Sequence, residues 1–430
     1  MKQFSTFLAV FCSTILLSCC QGQQQDSPLQ PLSVEIEPND IKTHITFLAS
    51  DSLRGRETGT RGEAIAANYI ADFFQKYDLQ PLGNGGTYFQ PFTVNMDNVR
   101  NPHGASSSRD SGDVRLSRNV VGMIEGREHP DTYIIIGAHY DHLGEGTFGS
   151  LANRRRNQIH NGADDNASGT AGILELAQYF SNHPPQKSLV FTAFSGEEIG
   201  LLGSQYFVEN SLVPLIQIQA MINLDMVGRL QDNKLLIFGT GSSTAWEQII
   251  ANVNTDSLNI NSIPDGTGAS DHTSFYNRQI PVLHYFTDTH ADYHRPSDDA
   301  EYINYEGEDL VLEHTKRLLQ ELDTLAGDQL VFTEVPENEQ QRDMMIKGVT
   351  LGVTPDYGFE GTGMRITGTS SGGPAHSAGL QNGDVIIALD GQPTEDIYEY
   401  MEVLNTLEEG QKSTVTVKRD KKELTLEIQF

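Results

Sequence analysis

Five short runs constrain this chain more than any other feature: TYIIIGAHY (132–140), SLVFTAFS (188–195), AMINLDMVG (220–228), KLLIFGTG (234–241) and IPVLHYF (280–286). Each opens on a stretch of apolar residues rich in β-branched and aromatic side chains, with none of the in–out alternation of a strand that has one wet face. Such runs suit strands buried on both sides. Between them lie segments of helical period. RGEAIAANYIADFFQKY (61–77) carries Ala66, Ile70, Phe73 and Tyr77 on one face, and SGTAGILELAQYF (168–180) and DLVLEHTKRLLQELDTLA (309–326) read likewise. Strands that alternate with helices predict an α/β fold, a mostly parallel mixed sheet flanked by helices. In that architecture sites lie beyond the carboxyl ends of the strands.

The rest of the chain divides around this block. Lys2 precedes an apolar run from Phe4 to Leu17 that is too short to span a bilayer comfortably, so residues 1–18 read as a secretory leader. LLSC (16–19) resembles a bacterial lipobox, which implies cleavage before Cys19, lipidation of that thiol and an extracytoplasmic place on a cell-envelope membrane, periplasmic or surface. An ordinary cleaved signal is the alternative. All three cysteines fall within the first twenty residues, which leaves the mature chain no internal disulfide and no thiolate metal site. Residues 19–35 read as a flexible tether, 36–327 as the α/β domain and 328–346, polar and acidic, as a linker. Residues 347–430, with glycine-rich turns, a helix near Asp396 to Leu407 and a hairpin in STVTVKRDKKELTLEIQF, read as a small β-rich second domain. The net charge of −29 argues against a nucleic-acid partner.

Polar residues gather where the buried runs end. His139 and Asp141 follow the first run, Glu197 and Glu198 the second and Asp225 the third; Asp164 opens a helix, and His294 lies beyond the last run. Each alone has a plain structural reading, Asp164 or Asp165 as a helix cap and Asp225 as a turn acceptor. Together they set histidines among carboxylates with no thiolate, a donor set suited to zinc or another divalent ion at a catalytic centre. Adjacent Glu197 and Glu198 repel unless a cation sits between them or one holds a proton. Two metals about 3.5 to 4 Å apart need a bridging carboxylate.

HYDH (139–142), NGADDNASG (161–169), SGEEIGLLGS (195–204), NLDMVG (223–228), SDH (270–272) and YHRPSD (293–298), in this order, resemble the zinc aminopeptidase family M28. The resemblance covers about Glu35 to Ala326 and implies two zinc ions per chain, with Asp164 bridging, His139 and Asp225 on one ion, and Glu198 and His294 on the other. It makes Glu197 the general base toward a metal-bridged hydroxide and Asp141 the carboxylate that orients a histidine ligand, with Asp271 in a related role. It implies peptides with a free N-terminus as substrates. The tyrosine that some members carry ahead of SDH as an oxyanion donor has no counterpart in GTGAS. His290, four residues before His294, reads as a cleft residue. His142 and His160 read as flanks of an insertion whose Arg154, Arg155 and Arg156 form a solvated loop or a rim for an acidic group.

Residues 347–430 resemble a bacterial protease-associated PDZ domain, with TLGV as the carboxylate-binding loop and GPAHSAGLQNGDVIIALDGQPT as its core. That implies capture of a peptide C-terminus by Leu351, Gly352 and Val353, against the alternative of a module that only packs on its neighbour. Two rival functions remain: a single-zinc glutaminyl cyclase-like transferase, and a non-catalytic binding lipoprotein that works through its PDZ-like domain.

Overall fold

The computed structural model describes Met1 and residues 32–96, 113–146, 149–152, 158–256, 258–335, 349–355, 361–369, 373–395, 397–404, 406–408 and 410–430. The leader, Cys19, nearly all of the tether, most of the linker and Arg154 to Arg156 lie outside the described residues. Helices α1 (Pro38–Leu48) and α2 (Arg61–Lys76) come first, the latter capped by the Thr60 hydroxyl, which accepts from the Glu63 amide. Then follow β1 (Gln80–Pro81), β2 (Phe89–Asn95), β3 (Val114–Ile124), β4 (His129–His139), α3 (Gly169–Asn182), β5 (Lys187–Phe194), α4 (Leu202–Glu209), β6 (Ile218–Leu224), β7 (Lys234–Phe238), α5 (Trp246–Val253), β8 (Asn259–Ile263), α6 (His272–Tyr276), β9 (Val282–Phe286) and α7 (Tyr305–Thr324).

Among the described residues these strands form one nine-stranded mixed sheet in the order β1-β3-β5-β4-β6-β9-β7-β8, with β2 also paired to β3. The centre, β5-β4-β6-β9, is parallel, whereas β3 joins β5 and β7 joins β9 antiparallel. Every residue of β5 and β6 is buried. The side chains nevertheless alternate between two cores. Ile134, Ile136, Leu189 and Phe191 face the layer of α1, α2, α3, α5 and α7, while Ile135, Val190 and Phe194 pack with Phe207 of α4 and Phe275 of α6. Two apolar layers on one pleated sheet are the reason these strands read as continuous runs.

The smaller module holds β10 (Val353–Pro355), β11 (Met364–Thr369), α8 (Pro374–Ala378), β12 (Val385–Leu389), β13 (Gln392–Pro393), α9 (Ile397–Leu404), β14 (Lys412–Arg419) and β15 (Lys422–Gln429), around its own core of Leu351, Ile366, Ile386, Val415 and Val417. Its sheet runs β10-β11-β12-β14-β15, which places β10 on an edge. The expected hairpin is β14–β15, turning through Asp420 and Lys421, both at positive φ. Leu351 is buried, its carbonyl accepting from the Ala375 amide; Gly352 is left-handed and its amide donates to the Thr350 hydroxyl. Among the described residues, hydrogen bonds reach the α/β domain: the Thr289 hydroxyl donates to the Pro355 carbonyl at 2.8 Å, and Arg295 to the Thr369 carbonyl at 3.3 Å.

Candidate metal centre

The parallel strands deliver the site. His139 ends β4, Glu197 and Glu198 follow β5, Asp225 follows β6, and His294 lies in the loop after β9, so four neighbouring strands bring polar residues to one edge of the sheet. Into this edge projects the carboxylate of Asp165, from the irregular turn Ala163–Ser168 ahead of α3. Asp165 Oδ1 is 3.3 Å from His139 Nε2, and Asp165 Oδ2 is 3.2 Å from His294 Nε2. On the first side Asp225 Oδ1 is also 3.3 Å from His139 Nε2; on the second, Glu198 Oε2 is 3.2 Å from His294 Nε2. The two sides share only Asp165.

This corrects the expectation for Asp164. Its carboxylate turns the other way, Oδ1 accepting from the Gly228 amide at 2.7 Å and Oδ2 lying 3.1 Å from His290 Nε2. The sequence offers two adjacent aspartates, and only the turn decides which faces the sheet edge. Asp298 Oδ2 fixes that turn by accepting both the Asp164 and Asp165 amides, at 3.0 and 3.1 Å. Asn166 ties it to the end of β6 through the Leu224 carbonyl. Gly162 is required here: at φ +57 a Cβ would meet the Asp165 carbonyl and the His142 ring at about 2 to 2.5 Å. His290, read as a cleft residue, is instead the partner of Asp164.

Asp141 is fully buried, but His139 Nδ1 reaches its backbone carbonyl at 3.2 Å rather than its carboxylate, which is 3.8 Å away. That carboxylate accepts the Thr58 hydroxyl at 2.7 Å and the Glu197 amide at 3.3 Å, holding the segment that carries both glutamates. Glu197 Oε2 is 4.0 Å from His139 Nε2.

The roles of three further residues escaped the sequence reading. Arg56 is buried and donates only to main-chain carbonyls, those of Leu48, Tyr140, Asn161 and Gly162, at 2.6 to 3.0 Å. It joins the segment before α2 to the two segments that present His142 and Asp165. Ser270 donates to Asp225 Oδ2 at 2.7 Å and accepts from the Asn223 amide group at 2.8 Å. His142, read as a loop flank, is buried with Nδ1 2.6 Å from Glu198 Oε1. The signal for His142 was the second histidine of HYDH; Arg56 sits in an N-terminal stretch that carries no recognisable chemistry.

The electrostatics call for a cation. Burial and the Asp165 charge push the Glu198 carboxyl up, but His294 and His142 outweigh them and bring it down to about 2. The Glu197 carboxyl is held well above the usual carboxylate range by burial, with Asp225, Glu198 and Asp271 adding repulsion against the attraction of His139. Asp271, buried beside them, is raised to about 7, again mainly by burial. Carboxylates this close share a site when one of them holds a proton or when a cation sits between them. Donor atoms 3.2 to 3.3 Å apart around each side, oxygen and imidazole nitrogen without sulfur, fit a divalent ion such as zinc on each.

Residues 119–318 match the model of peptidase family M28, and residues 340–430 that of the PDZ domain. By these matches residues 119–318 are a peptidase family M28 segment and residues 340–430 a PDZ domain. Among its relatives, a probable zinc metalloprotease of Pyrenophora teres f. teres is 33% identical over 217 residues, 48% of this chain and 42% of that one. Aminopeptidase YwaD of Bacillus subtilis is 29% identical over 291 residues, 62% of this chain and 60% of that one. The chain thus spans about half the length of these curated relatives. The solved glutaminyl cyclase of Porphyromonas gingivalis superposes with a TM-score of 0.53 at 16% identity, covering 67% of this chain and 99% of that one, which shows the shared fold.

Proposed function

We propose that this protein is a zinc-dependent aminopeptidase with two zinc ions per chain, releasing N-terminal residues from peptides. The observation that carries the reading is the Asp165 carboxylate, each oxygen of which faces a separate histidine–carboxylate pair. One ion would be held by His139, Asp165 and Asp225, the other by Asp165, Glu198 and His294. Zinc at these positions supplies Lewis acidity toward the scissile carbonyl and acidifies the attacking water. Glu197, beside the first pair and bound to neither, takes the proton from that water and returns it to the departing amine. Asp141 keeps Glu197 in place through the Glu197 amide, while its own carbonyl sets the His139 ring. A free substrate amine is attracted to the surplus of carboxylates, in keeping with cleavage at an N-terminus. In the PDZ domain, the place of β10 at an end of its sheet suits strand addition by a peptide C-terminus, with Leu351 to Val353 as its loop.

The test is turnover of a panel of aminoacyl amides, dipeptides and N-terminal glutaminyl peptides, before and after chelation and with zinc restored. Release of amino acids that disappears on chelation and returns with about two zinc ions per chain is the expected result. Cyclisation of glutamine with one ion per chain would replace this reading with that of the cyclase.

A further inference from the structure

The two sides of the site use their outer carboxylates alike. Asp225 turns Oδ1 toward His139, and its Oδ2 accepts the Ser270 hydroxyl at 2.7 Å. Glu198 turns Oε2 toward His294, and its Oε1 meets His142 Nδ1 at 2.6 Å. The spacing tells a hydrogen bond from shared coordination. The donor pairs assigned above to the two ions stand 3.2 to 3.3 Å apart; His142, Asp165 and Glu198 also lie close enough to hold an ion, but His142 Nδ1 is 3.8 Å from Asp165 Oδ2 and only 2.6 Å from Glu198 Oε1, the spacing of a direct, short hydrogen bond.

The far nitrogen of the same ring agrees. His142 Nε2 is buried and has no hydrogen-bond partner. Were Nδ1 a metal ligand, the proton of a neutral ring would sit on Nε2 as an orphaned buried donor. With the proton on Nδ1, Nε2 carries only a lone pair, and buried orphan N–H groups are the rarer and costlier case. Gly162 keeps the ring in this place, since any Cβ there would collide with it.

We propose that His142 is a positioning residue for the second zinc: by donating from Nδ1 to Glu198 Oε1 it holds Glu198 to one-oxygen binding through Oε2. This rests on the two-zinc reading above. Each ion would then be held by three side chains, His139, Asp165 and Asp225 or Asp165, Glu198 and His294, the number that suits a catalytic rather than a structural site. Without His142, Glu198 is free to turn both oxygens to the ion, or to swing away from it.

The experiment is competition of the zinc-stripped full chain against a chromophoric chelator, with cobalt(II) absorption as a second readout of coordination. His142→Ala should weaken one of two zinc-binding steps by roughly 10- to 100-fold, the usual cost of losing such a partner, and leave the other within about threefold. His142→Asn, whose side-chain amide can place an N–H near the Nδ1 position, should recover most of the loss; His142→Gln, which reaches further, should not. Circular dichroism and melting of the metal-free variants separate unfolding from weakened binding. The proposal is overturned if folded His142→Ala binds both ions as the unaltered chain does, or if His142→Asn binds as weakly as His142→Ala. A loss beyond about a thousandfold, with a cobalt spectrum that reports one nitrogen fewer, would make His142 a ligand and overturn it too. An unaltered chain that takes up one ion sinks the two-zinc reading by itself, and the Ala-to-Asn ratio on that single step still decides His142.

Discussion

Where α1 meets α3, one buried imidazole faces one buried carboxylate: His44 Nε2 lies 3.2 Å from Glu175 Oε1, and its Nδ1 is 2.9 Å from the Tyr69 hydroxyl. At the mouth of the sheet the same residue types gather, buried or half-buried, but Asp165, Glu197, Glu198 and Asp225 crowd around His139, His142 and His294. The helical pair sheds its charge. Burial lowers His44 to about 3, and burial with the Asp40 charge raises Glu175 to about 9, so both are neutral at pH 7. At the sheet edge the carboxyls part ways: Glu198, despite its burial, is brought down to about 2 by His294 and His142, while burial holds Glu197 well above the usual carboxylate range and raises Asp271 to about 7. A lone buried pair settles by moving protons; a group with surplus carboxylates settles by recruiting a cation.

The largest test of this contrast is Asp165→Ala, which removes the carboxylate common to both sides. Zinc uptake measured by elemental analysis should fall from about two ions to less than one, with turnover below detection. Asp164→Asn, one residue away, should keep both ions and most activity; equal damage from the two would sink the assignment of Asp165 as the bridge. Glu197→Gln should come next, with kcat down by about 10² to 10⁴ while both ions stay bound. A variant that loses its zinc as well would make Glu197 a ligand instead of a base. Chelation should then lower the thermal midpoint, since an ion at a thousand times its dissociation constant stabilises the fold by about 4 kcal/mol. An unchanged melting curve would mean that the carboxylates manage without a cation.

The smallest effect belongs to His44. Its folded value lies below its unfolded one of about 6.5, so its contribution is complete above pH 6.5 and is lost as pH falls toward 3. Between pH 7 and pH 5 the loss is about 2 kcal/mol by linkage. His44→Gln should remove this term, so that the change in unfolding free energy between pH 5 and pH 7, measured by urea titration of zinc-stripped protein, differs from that of the unaltered chain by about this amount. Glu175 has the opposite sign, stabilising fully below about pH 4.5 and losing its contribution as pH rises through about 9.

What could be read from the residues follows from which of them are packed from two sides. β4, β5, β6, β7 and β9 were legible as apolar runs because both faces are covered. β2, β8 and the outer half of β3 were not: they lie toward the sheet margins, their burial alternates or lapses, and Val114 and Leu116 stay exposed. In the site, residues at strand ends were found by position. The choice of Asp165 over Asp164 was hidden in a turn whose direction depends on Asp298, Asn166 and Gly162, none of which announces that role in a linear reading. The carbonyl-bound Arg56 was hidden for a similar reason, since its partners are backbone atoms that every residue possesses.

Arg56 bears on how such a site can be inherited or borrowed. All five proposed ligands fall within residues 119–318, yet the guanidinium that pins the His142 and Asp165 segments, and the Thr58 hydroxyl on Asp141, come from before residue 119. A fragment cut to the family match would carry every zinc donor and lose the clasp that sets their spacing. The stretch in which the chemistry is recognisable is thus smaller than the stretch that can be moved between proteins and still work, and recombination that preserves function must take α1 and α2 along with the sheet.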